Sequence, residues 1–209
     1  MAGRFERTIG STWKFLHDFY LRKIEMNPND FVVLAKHNSP RLIIDESSDH
    51  AAAFVSIEFP EQLKSSVEKK KEIAPQDLSI ICEETSHFFH FVHAAEHEYP
   101  ISVFELETRA EIDRFLCFLH WNDLFPDCRL SCQYENCSDL CETLFENRTF
   151  RTSDEDFYRE AESLAFHHIR NAFSHCWTNR WINTAQFDPL ARRYILKVVG
   201  TTTYQQLTA

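Results

Sequence analysis

Four glutamates, Glu84, Glu107, Glu111 and Glu162, fall inside the apolar stripes of expected helices. A carboxylate withdrawn from water is costly unless it is protonated, hydrogen-bonded, paired with a base or bound to a metal. Glu84 is followed one turn later by His87, and Glu107 one turn later by Glu111. Carboxylates and an imidazole at helical spacing are the donors that hold divalent metals inside helical proteins. Glu84, His87, Glu107, Glu111 and Glu162 are therefore the candidate ligands of a divalent metal serving hydrolysis or redox chemistry.

The elements that must position them follow from a period of about 100° per residue. From Leu78 to His97, the residues Ile80, Ile81, Phe88, Phe91, Val92 and Ala95 form one arc. Glu84 lies near its middle and His87 at its edge, while His90, His93 and His97 project from the other side as a solvated face. From Val103 to Trp121, Phe104, Phe115, Phe118 and Trp121 mark a broad apolar face that also holds Glu107, Glu111 and Arg114. Pro100 separates the two helices and Ser102 is placed to cap the second. An antiparallel hairpin is expected, bringing Glu84 toward Asp113 and Arg114, and His87 toward Glu111. A third helix, Asp154 to Trp177, follows Thr152-Ser153 and carries Glu162 among Tyr158, Ala165, Phe166, Ile169, Ala172 and Phe173. A simpler reading of the same residues is a buried polar network, with Arg114 satisfying Glu107 or Glu111 and His87 bridging to Glu84. Such a network fixes helix register and adds little net stability.

The inward Glu and Glu-x-x-His pattern resembles that of ferritin-like carboxylate proteins, although Glu162 is followed by Ala165 where a second pair would place His. The hairpin also resembles one in a group of uncharacterised bacterial proteins. Its carriers are Ser86-His87-Phe88 and Glu105-Leu106-Glu107, continuing through Glu111, Ile112 and Asp113. That resemblance implies no activity. Arg170-Asn171-Ala172-Phe173-Ser174-His175 resembles the R-N-x3-H pattern of HEPN-type ribonucleases. The resemblance implies metal-independent RNA cleavage by a dimer, with His175 as general acid and base, Arg170 stabilising the transition state and Asn171 orienting the site.

Of seven cysteines, Cys128, Cys132, Cys137 and Cys141 form a C-x3-C-x4-C-x3-C run. If two short helical turns carry the pairs, each pair shares one face, so a closed tetrahedral Zn site is a second metal candidate, structural and not catalytic, beside free thiols, a disulfide or an Fe–S site. Cys82 and Cys176 lie near histidines but lack a nucleophile motif and read as core thiols.

The 209 residues are 44% hydrophobic with 19 Phe and three Gly, which favours a helix-rich globule over glycine-rich phosphate loops. A formal net charge of -10 argues against a broad nucleic-acid surface. Met1 to Phe15 lacks the apolar run of a secretory leader, and no stretch is apolar enough to span a bilayer, so a cytoplasmic location is expected. The expected organisation is one domain over residues 1–209. Residues 1–75 form a helix plus a three-stranded layer, 76–121 the hairpin, 122–150 a Cys-rich insertion and 151–209 a C-terminal helix and tail. Ser11 is placed to cap the first helix. The expected strands are Phe31 to Ala35, Leu42 to Asp45 and Ala53 to Phe59, and the alternation of Tyr194, Leu196 and Val198 predicts another in the tail. The fold class is α+β, a small N-terminal antiparallel sheet packed with a predominantly helical C-terminal half. The expected partner is a small molecule or a protein, with RNA and a homodimer under the ribonuclease reading. A non-catalytic interaction or regulatory role stands beside both enzyme readings.

Overall fold

A computed structural model describes residues 2–22, 24–37, 39–46, 53–70, 72–124, 129–130, 134–146, 154–174, 177 and 189–205. The fold is α+β, and its residues gather into two compact units, each discontinuous in sequence. The first comprises residues 1–93 and 122–132, the second 94–121 and 133–209. No helix among the described residues is long and apolar enough to cross a membrane.

In the first unit, α1 (Arg4–Tyr20) presents Phe5, Ile9, Trp13, Leu16 and Tyr20 on one stripe, all buried. Spacings of three and four residues put them on one side of the helix. The N-terminus of α1 is capped from outside the helix, for the backbone N–H of Phe5 donates to Glu68 Oε1 at 2.8 Å. Glu68 belongs to α2 (Glu61–Lys69), which buries Leu63 and Val67. The strands are β1 (Val32–Ala35), β2 (Arg41–Glu46) and β3 (Ala53–Pro60), in the order β1-β3-β2. Alternation along β3 turns Ile57 and Phe59 to one face, both fully buried, and Phe59 meets the edge of Phe5 at 5.3 Å. The unit is completed by β4 (Glu72–Ile73), its parallel partner β5 (Arg129–Leu130) and α3 (Pro75–Glu96) as far as His93. Trp13 packs on Phe88 and Phe89 of α3 at 5.5 and 5.3 Å between ring centroids.

The second unit is built on α4 (Val103–Leu119). Ser102 and Glu105 form a reciprocal capping box at its start. From Leu106 to Leu119 every residue except Glu107 is buried. Such all-round burial marks a central helix and not a surface one. Beside it lies α7 (Glu155–Ala172), which buries Ala161, Glu162, Ala165, Ile169 and Ala172. The three alanines suit close helix approach. Phe104 meets Phe157 at 5.6 Å where both helices begin and Phe115 meets Phe173 at 5.4 Å where both end, so α4 and α7 run in the same direction. The short α6 (Cys137–Cys141), continued by a π turn over Glu142–Glu146, packs on α4, and α8 (Pro189–Gln205) packs on α7. A further short helix, α5 (Trp121–Leu124), follows α4; Trp121 belongs to this unit and residues 122–124 to the first.

Four expectations need correction. The sheet is mixed, because β3 pairs antiparallel with β2 but parallel with β1, Val32 opposite Ile57. The strand with the most deeply buried face takes the centre, which removes the β1–β2 hairpin that short spacing suggests. Ser11 lies within α1, whose N-cap residue is Gly3. The tail is helical; its inward residues are Ala191, Ile195 and Val199, one every turn, whereas Tyr194, Leu196 and Val198 are half-buried. His90 is fully buried, its ring 5.2 Å from that of Tyr20, so it is no part of a solvated face. The two helices of the expected hairpin, α3 up to His93 and α4, fall in different units.

Candidate functional site

Glu84 and His87 occupy the part of α3 that is buried on all sides, being 6% and 7% exposed. One helical turn brings His87 Nδ1 to 3.4 Å from Glu84 Oε2, a long hydrogen bond. Each therefore has the other as a local partner within the first unit.

In the second unit, Glu111 is 4% exposed and is paired with the guanidinium of Arg114, one turn ahead on α4. Arg114 Nη2 also donates to the Leu144 carbonyl at 3.1 Å, and the guanidinium stacks over Phe145 at 5.3 Å. A carboxylate neutralised in this way fixes the register of α4 against the turn that carries Leu144. Glu107 is half-buried and Glu162 buried. Among the described residues, no three or more His, Cys, Asp or Glu side chains gather into a group able to hold a metal ion.

Arg170 and Asn171 lie in the last turn of α7, both exposed. The Asn171 amide donates to His167 Nε2 at 2.9 Å and to the Tyr194 hydroxyl at 3.4 Å. His175, the third member of that constellation, lies outside the described residues, as do Cys128, Cys132 and Cys176. Cys137 and Cys141 are buried thiols one turn apart on α6. Cys82 and Cys117 are buried thiols as well, as expected of Cys82.

The second unit also contains a site that the sequence reading passed over. A cavity of about 160 Å³ opens among α4, α7 and α8. Its apolar wall is Phe104 and Ile112 from α4, Leu164 from α7 and Val198 and Val199 from α8. Residues four apart on one helix share a face, so Phe104, Thr108 and Ile112 form one row and Glu105 with Arg109 the adjoining row. The hydrophilic groups of the wall differ in how far they are already engaged. The Thr108 hydroxyl donates to the Phe104 carbonyl at 2.8 Å. Glu105 Oε2 accepts from the backbone N–H and the hydroxyl of Ser102 at 2.9 and 2.8 Å. His168 Nδ1 lies 3.4 Å from the Tyr194 hydroxyl. Burial, and secondarily the neighbouring His167, hold the His168 imidazole below the usual histidine range, which favours its neutral form.

Arg109 is the exception. It is 3% exposed, its Nη2 is 4.0 Å from Glu105 Oε1, and its Nη1 is buried with no hydrogen-bond partner among the described residues. A 4.0 Å separation is a charge contact and not a hydrogen bond. The sequence carried little signal for it, since Arg109 stands between Glu107 and Glu111 like a cation of a solvated helix face, and the burial of α4 on all sides is what sets it apart. Comparison with known proteins adds no relative, since no family model, no curated protein and no solved structure matches the chain.

Proposed function

We propose that the chain is a non-catalytic binding protein whose second unit receives a small, largely apolar molecule. The observation that carries this reading is the cavity among α4, α7 and α8, walled by Phe104, Ile112, Leu164, Val198 and Val199. Binding sites for small molecules are concave, mostly apolar and provided with a few polar groups that set orientation. The wall offers groups suited to holding a ligand. Thr108 and Glu105 are committed to the backbone and the helix cap, which leaves Arg109 and His168 as the hydrophilic contacts. The size is that of a compact ligand, because an apolar cavity of about 150 Å³ is known to accept benzene.

The test is saturation-transfer NMR with compact apolar probes such as indole and benzyl alcohol. Wild type should show transfer, and Val199→Trp, which fills the cavity from α8, should lose it while keeping the wild-type helical circular dichroism. Equal transfer to both proteins would remove the reading.

A further inference from the structure

We infer that the ligand of this cavity is a monocarboxylic acid with a compact apolar body, its carboxylate held by Arg109. The inference rests on the binding reading above and specifies its chemistry. Arginine side chains are rarely withdrawn from water without full hydrogen bonding, because a buried N–H donor lacking an acceptor keeps a desolvation penalty that a distant charge only partly offsets. Arg109 is so withdrawn, with Nη1 unpartnered and Nη2 beyond hydrogen-bond distance of Glu105. Arg114, five positions on along the same helix, has its Nη2 engaged by a carboxylate and a carbonyl and its guanidinium over an aromatic face. Arg109 has its carboxylate at 4.0 Å, beyond hydrogen-bond distance, and borders an open space. An anion placed in the space supplies what is missing, with rotation about the terminal torsions of Arg109 turning the guanidinium fork toward it.

Charge and volume narrow the class. Among the described residues, Arg109 is the one arginine or lysine in the cavity wall, and Glu105 stands beside it. Glu105 at 4.0 Å already offsets part of the guanidinium charge, so the wall disfavours a phosphate dianion, which calls for several donors and cations, and leaves a single carboxylate as the anion that the unused N–H groups of Arg109 can take. A planar carboxylate also fits the two parallel N–H groups of the fork. The remaining wall is aliphatic and aromatic, so the body of the ligand is apolar. Scaled to the benzene-sized cavity, a body of roughly six to ten non-hydrogen atoms fills the space.

The experiment is calorimetric titration of the full chain with hexanoate and phenylacetate, each compared with its neutral isostere, hexanol and phenylacetamide. It is repeated on Arg109→Met, which keeps the length of the side chain and removes the charge. The acids should bind wild type at least tenfold more tightly than the isosteres, and Arg109→Met should erase that preference. Acids and isosteres binding wild type equally would overturn the carboxylate assignment and leave the binding reading intact, whatever the variant does. Hexyl phosphate binding more tightly than hexanoate would overturn it in favour of a phosphate ester. No binding by any of them would overturn both readings together.

Discussion

Two buried arginines on one helix differ in how closely a carboxylate meets them, and the difference is measurable. Arg114 is enclosed by Glu111, the Leu144 carbonyl and the Phe145 ring. Replacing it alone, as Arg114→Met, removes the guanidinium paired with the buried Glu111 carboxylate and should cost about 3–5 kcal/mol in urea unfolding. The double replacement Glu111→Leu/Arg114→Met removes both charges and should recover most of that loss. A double mutant as unstable as the single one would show that the pair contributes more than mutual neutralisation. Glu58 supplies a pH-dependent counterpart in the first unit. Its carboxylate accepts from Arg41 Nε and His37 Nε2, each at 2.6 Å. The Arg41 bond foremost, opposed by burial and reinforced by His37, holds the carboxyl below the usual glutamate range. The folded state thus binds this proton more weakly than the unfolded chain. The stabilisation is complete above the ordinary glutamate pKa of about 4.3 and is lost as pH falls through the lowered folded value. Thermal unfolding followed from neutral to strongly acidic pH should show a steeper acid decline for wild type than for Glu58→Gln; parallel curves would disprove the linkage.

Elements were legible where one periodicity ruled and misread where two competed. The three strands emerge within a residue or so of their expected bounds because β-branched residues sit between turn residues at Asn27-Pro28, Ser39-Pro40 and the polar stretch after Glu46. The start of α4 was legible from Pro100 and Ser102, and the structure adds Glu105 to the cap. Ser102→Ala should cost about 1 kcal/mol in the same unfolding measurement, the usual worth of an N-cap. No change on that substitution would mean that packing of α4, and not its cap, fixes where the helix begins. In the tail, Tyr194, Leu196 and Val198 alternate while Ala191, Ile195 and Val199 repeat every turn. Local sequence does not choose between them, and contact with α7 does. The direction of β1 was hidden for a similar reason, since pairing depends on which strand takes the central place. At the site, the pairing of Arg114 with Glu111 was one of the readings open to the sequence, because both sit one turn apart in an apolar stripe. The cavity was not, because its wall joins a row on α4 to residues of α7 and α8 that no spacing rule connects.

At the scale of the whole molecule, the acidic balance that disfavours a nucleic-acid surface also acts on the proposed ligand. The chain carries a formal net charge of -10, so a monocarboxylate approaches against a repulsive field, whereas the guanidinium that receives it acts only at short range. Raising the ionic strength from about 0.01 to about 0.15 M shortens the Debye length from about 30 to about 8 Å. The long-range repulsion is screened over that interval, while a buried contact between carboxylate and Arg109 is screened far less. The association rate of hexanoate should therefore rise severalfold with salt and its dissociation rate should hold nearly constant, so that affinity improves. Hexanol, which carries no charge, should show neither change. NMR line-shape analysis across the salt series separates the two rates. A hexanoate association rate that falls with added salt would mean that capture is governed by local attraction at the cavity mouth, and the net charge would then have no part in selecting the ligand.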